Sequence, residues 1–126
     1  EVDFVIATVP QTPATEGLFN REVFTAMRSD AFFINIGRGA TTLLTDLSAA
    51  IADGEIAGCA LDVFETEPLS SEHTLWTMDN VILTPHVAVA GAENIDERWF
   101  EVLKENAKRF AASEPLMNVV NKAMWY

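Results

Sequence analysis

The chain alternates short, wholly apolar runs with segments whose apolar residues recur three and four positions apart. Asp3–Val9 (DFVIATV) is continuous, too short for a stable helix and bounded by Pro10, so it predicts a buried strand. Two prolines make the following PQTPATEGL a loop. Asn20–Met27 opens on an N-cap residue and spaces Val23, Phe24 and Met27 as a short helix does. Ala31–Ile36 (AFFINI) predicts a second strand, ended by Gly37. A second helix is expected over Thr45–Ala52, with Thr45 as N-cap and Gly54 as its stop. Ala57–Leu61 reads as a third strand, Ser70–Asn80 as irregular, and Val81–Thr84 as a fourth strand cut by Pro85. Asn94–Ser113 is a long amphipathic helix whose stripe is Ile95, Trp99, Val102, Leu103, Ala107 and Phe110. The tail from Glu114 is too apolar to remain in solvent, and Trp125 and Tyr126 are expected to pack.

Strands apolar along their whole length, alternating with helices, predict an α/β fold with a parallel sheet covered on both faces. Ligands on such sheets bind at the carboxyl ends of the strands. The residues there are Thr8-Val9-Pro10, Gly37-Arg38-Gly39, Asp62 and Pro85-His86. Every strand end thus carries something polar, kinked or titratable.

Charge sharpens this picture. The 126 residues carry a formal net charge of -11, which disfavours nucleic acid and anionic membranes as partners. Most of the acid reads as a solvated face, so the few cations matter by position. No apolar run reaches the roughly 20 residues of a membrane span, and the opening residues lack the basic n-region of a signal peptide. With a single cysteine, Cys59, expected to be inert in the core, these features point to a reducing cytosol. No metal site is expected.

Three titratable residues fall on the predicted edge: Arg38, Glu67 in DVFETEP, and His86 in LTPHV. A histidine oriented by a carboxylate is a general acid/base, and an arginine can fork onto a substrate carboxylate. Each also has a plainer reading: His86 as a satisfied structural residue, Glu67 as a surface turn, Arg38 as a solvated charge. Their common edge favours a joint site for a small organic acid. His73, in a polar loop, is expected to be solvated.

INIGRGA, AGCALDVFETEP and NVILTPHVA resemble the signature blocks of the D-isomer-specific 2-hydroxyacid dehydrogenases. VIATVPQTPATEGLFN resembles a loop and short helix of the same family, and SEPLMNVV resembles its glyoxylate/hydroxypyruvate reductase and phosphoglycerate-dehydrogenase-like branches. The resemblance implies the second half of a Rossmann-type parallel sheet with flanking helices, residues 1–92 being the C-terminal part of an NAD(P)-binding domain. Residues 93–126 would be a helix and tail returning to a substrate domain outside this sequence. It implies hydride transfer between NAD or NADP and a 2-oxo or D-2-hydroxy acid, in a cytoplasmic homodimer. Arg38 would bind the substrate, His86 would be the acid/base and Glu67 its partner. Val9, Pro10, Ile36, Gly37, Arg38, Asp62, His86 and Ala88 would border the nicotinamide, with Asp62 near its carboxamide. Trp76 and Met78 resemble a cover at the cleft mouth or are packing residues.

Four features depart from the family. The glycine-rich G-x-G-x-x-G turn and the ribose-reading acid are absent, so the sequence is expected to be the C-terminal part of a longer enzyme, inactive and weak in dinucleotide binding by itself. Leu43 stands near where the family often places an acidic cap, and Val89 where a small residue is common. A non-catalytic NAD-sensing or protein-interaction module of the same fold is the alternative function.

Overall fold

A computed structural model describes residues 2–124, so the expected packing of Trp125 and Tyr126 lies outside the described residues. Four strands, β1 (Phe4–Ala7), β2 (Phe32–Asn35), β3 (Gly58–Leu61) and β4 (Val81–Leu83), form one parallel sheet in the order β1-β2-β3-β4. Helix α1 (Arg21–Ala26) joins β1 to β2, and α2 (Leu44–Ala52) joins β2 to β3. Every crossover returns the chain to the same end, so all four strands finish on one edge.

Side chains alternate between the two faces. Ala7, Phe33, Cys59 and Leu61 point to one face and meet Phe24 of α1 and Leu44, Leu47, Ala50 and Ile51 of α2. Phe24 and Leu47 are fully buried, and Phe33 packs edge-on to Phe24 at 5.3 Å. The other face differs from expectation. Phe4, Ile6, Phe32 and Ile82 lie exposed there, with the Phe4 and Phe32 rings stacked at 5.9 Å. The pattern was apolar on both faces, yet both connecting helices lie on one.

The capping residues explain the helix ends. Asn20 accepts from the N–H groups of Glu22 and Val23, as its position at the helix start predicts. Gly54, at φ 70°, stops α2 in the left-handed conformation. Thr45 does not cap α2. Leu43 occupies the cap position without a capping side chain, and the Leu44 N–H donates instead to Glu65 Oε2 at 2.7 Å. A carboxylate from another loop thus replaces the local hydroxyl. The 70–80 stretch, expected to be irregular, contains a 3-10 turn at Thr74–Thr77, and His73 is half-buried with Nδ1 accepting from the Leu75 N–H. His73 is therefore a turn cap rather than a solvated side chain.

The chain divides into two compact units, Glu1–Ala88 and Val89–Tyr126. In the second, α3 (Ile95–Ala111) carries the expected stripe, but none of its residues is buried, and Trp99, Leu103 and Phe110 are exposed. The tail is fastened by polar bonds rather than burial: Asn106 exchanges two hydrogen bonds with the Met117 backbone, while Leu116, Val119 and Val120 remain exposed.

Candidate active site

The arginine turn is built from Asn35, the last residue of β2. Its side chain is fully buried; Oδ1 accepts from the Gly37 N–H at 2.9 Å, and Nδ2 donates toward the Arg38 carbonyl and the hydroxyls of Thr41 and Thr42. The two glycines have separate steric reasons. A Cβ on Gly37 would lie 3.1 Å from the Val9 carbonyl oxygen, and one on Gly39 only 1.9 Å from that of Phe64. Gly37 thus lets the end of β2 approach that of β1, and Gly39 presses the turn against the loop after β3. Arg38, between them, is exposed and donates to its own Gly37 carbonyl at 2.7 Å. Among the described residues it pairs with no carboxylate, whereas Arg21, Arg28, Lys104 and Arg109 each do.

The histidine turn is built from Asp62, at the end of β3. Only 4% exposed, Asp62 accepts from the Thr84 hydroxyl at 2.6 Å and from the N–H groups of Val87 and Ala88 at 2.9 and 2.8 Å. Burial works to raise its pKa, but the hydroxyl and the two N–H groups outweigh it and leave the carboxyl below its ordinary value. This grip brackets His86, which sits at φ 54°, a left-handed conformation that a non-glycine residue holds only when its surroundings impose it.

The imidazole completes the arrangement. His86 Nδ1 lies 2.8 Å from Glu67 Oε2, and Glu67 Oε1 accepts from the Phe64 N–H at 3.1 Å. The histidine, then the Phe64 N–H, hold the Glu67 carboxyl below its usual range. With Nδ1 engaged, Nε2 has no partner among the described residues and is the atom left to exchange a proton. Both residues line a cleft of ≈ 440 Å³ whose other walls are Phe64, Pro68, Leu69, Trp76, Leu83, Thr84 and Pro85. Trp76 is held there by its indole N–H on the Ser70 carbonyl, while Met78 packs on the core. Cys59 is buried in β3, and burial pushes its thiol up to about 12, the inert state expected of it.

The structure therefore brings Glu67 into direct contact with His86. It links Arg38 to that pair through Gly39 and Phe64. Val9, Pro10, Ile36 and Gly37 lie at the neighbouring ends of β1 and β2, and Ala88 is bound to Asp62. Sequence reasoning missed Asn35, Glu65 and the Phe64 N–H. Asn35 left a signal, a single polar residue inside an apolar run just before a glycine. Backbone donors leave none.

Residues 1–88 match the family described as D-isomer specific 2-hydroxyacid dehydrogenase, NAD binding domain, and the chain belongs to that family. It is 37% identical over 97% of its length to a glyoxylate/hydroxypyruvate reductase A of Photorhabdus laumondii, covering 38% of that protein. A D-isomer specific 2-hydroxyacid dehydrogenase of Xanthobacter autotrophicus, solved with NADPH and MES, superposes with TM-score 0.90 at 40% identity over 98% of this chain and 50% of that one. An NADPH-dependent glyoxylate/hydroxypyruvate reductase of Sinorhizobium meliloti, solved with NADP and sulfate, gives TM-score 0.87 at 37% identity, over 98% of this chain and 40% of that one. The chain thus spans two fifths to one half of the length of these relatives.

Proposed function

We propose that this chain supplies the acid/base and carboxylate-binding part of an NAD(P)-dependent reductase interconverting a 2-oxo acid and a D-2-hydroxy acid. The observation that carries the reading is the 2.8 Å contact between His86 Nδ1 and Glu67, on the sheet edge that also bears an arginine without a carboxylate partner among the described residues. Membership of the family and the names of its relatives support it.

The residues fit the nicotinamide end of the cofactor. Ile36 is 48% exposed at the end of β2 and Val9 half-buried at the end of β1, giving an apolar surface where a flat ring can rest. Pro10 and Gly37 would border that ring, with Asp62 and Ala88 toward its carboxamide. Bound nicotinamide would supply the hydride. Arg38 would fork onto the substrate carboxylate and screen charge developing on the keto oxygen. Protonated His86 would give its Nε2 proton to that oxygen, while Glu67 steadies the ring and the imidazolium through Nδ1. In the reverse direction neutral His86 would take the proton back. The reading extends to a homodimer acting in a reducing cytosol, which the single buried cysteine supports.

The test is oxidation of NADH or NADPH, followed by absorbance, with glyoxylate, hydroxypyruvate or pyruvate and the protein that carries this chain. His86→Gln is expected to lower turnover about 10²-fold or more. A folded His86→Gln protein with full activity would overturn the assignment. Cofactor binding without turnover of any 2-oxo acid would move the protein to the sensing role.

A further inference from the structure

We infer that Glu65 is a positioning residue for Arg38: its carboxylate fastens the start of α2 to the loop that carries Glu67, so that the arginine turn and the histidine–glutamate pair keep a fixed spacing. The inference rests on Arg38 being an anion clamp. Three observations carry it. The Leu44 N–H donates to Glu65 Oε2 at 2.7 Å, across 21 positions of sequence. Leu43, at the cap position, offers no capping side chain, so among the described residues this bond is the side-chain cap of the helix start. Gly39 already rests on the Phe64 backbone, next to Glu65, so the same two loops touch twice.

The physical consequence follows from where the cap comes from. A local serine or aspartate would stabilise α2 alone, since it moves with the helix. A carboxylate on the neighbouring loop binds the helix start to that loop instead. The segment from Asn35 to Leu44 is then held at its beginning by the Asn35 amide, at Gly39 by Phe64, and at its end by Glu65. Arg38 lies between the first two, and its guanidinium can be no better placed than that segment. Backbone bonds of Ala40, Thr41 and Leu43 with Gly17 and Phe19 tie the later part of this segment to the loop after β1. Toward the loop that carries Glu67, the Glu65 bond is the fastening beyond Gly39, and without it the turn is held to that loop by the Asn35 carbonyl on the Asp62 N–H and by the Gly39 contact. Glu65 is exposed and its other oxygen is unbound among the described residues, so its effect would run through this one bond.

The test uses the full chain, labelled with nitrogen-15, and oxalate as a two-carbon dianion. Oxalate is expected to shift the Gly37 and Gly39 amide resonances, and Glu65→Ala to weaken its binding by about tenfold while the Leu44 amide exchanges faster. Glu65→Gln keeps an acceptor oxygen without the charge and is expected to fall between the two. Circular dichroism establishes that the variants are folded. A folded Glu65→Ala chain binding oxalate as tightly as the parent overturns the inference while leaving the clamp intact. If Glu65→Ala does not fold, Glu65→Gln decides, and parental affinity in that variant overturns it. No oxalate shift at Gly37 and Gly39 in the parent chain overturns the clamp reading and this inference together.

Discussion

Gly39→Ala is the substitution whose effect the structure fixes most tightly. The added Cβ would stand 1.9 Å from the Phe64 carbonyl oxygen, 2.0 Å from its carbon and 2.6 Å from its nitrogen. All three are backbone atoms, so no side chain can swing aside. Opening the oxygen contact to the 3.4 Å at which ordinary van der Waals contact begins requires a separation of about 1.5 Å between the arginine turn and the loop after β3. That displacement falls on the Phe64 N–H that holds Glu67, and through Glu67 on His86. Overpacking of this kind costs about 1–3 kcal/mol, and misplacing reacting groups by about 1 Å costs on the order of 10²-fold in rate. Urea unfolding and steady-state reduction of glyoxylate measure the two effects separately. Gly54→Ala is the control: its Cβ would meet nothing within 4 Å, but its φ of 70° makes the backbone strained, so it should lose stability and keep activity. A Gly39→Ala protein with parental stability and kcat/KM would refute the steric argument, and equal activity losses in both variants would refute its route through Phe64.

Other consequences are testable in the same preparations. Asn35→Ala leaves the Gly37 N–H and the Thr41 and Thr42 hydroxyls short of their buried partner, and should lower unfolding free energy by about 1–3 kcal/mol in urea titrations. Glu67 has a depressed folded pKa, so its stabilising contribution is complete above the ordinary glutamate value and lost as pH falls through the folded value; Glu67→Gln should remove that part of the acid-side loss of stability. Cys59, buried and with its thiol pushed up to about 12, should resist a thiol reagent at pH 8 in the native chain and react promptly in urea.

What the sequence made legible follows from what each residue can announce. Runs such as FVIA and FFI declare their strands because short continuous apolar stretches fit a parallel sheet, and Asn20 and Gly54 declare helix ends because their chemistry is local. Arg38, Glu67 and His86 could be placed on one edge because crossovers return every strand to the same side. The failures share a cause. Thr45 was the better local cap by composition, but Glu65 reaches Leu44 from another loop, and no local pattern records that reach. The bare sheet face was equally hidden: an apolar run says that both faces favour cover, not where the cover comes from. Nor was the use of the acid visible, since Asp62 and Glu65 bind backbone donors rather than merely facing solvent.

Those donors have a consequence for how the protein can drift. Asp46 grips the N–H of Arg21, Glu65 that of Leu44, and Asp62 those of Val87 and Ala88. A main-chain N–H is the same whatever side chain it carries, so the anchoring bond itself places no demand on the side chain at these four positions; at Leu44 that demand comes from the core and at Arg21 from its ion pairs. Proline, with no N–H to offer, is the replacement each of them refuses.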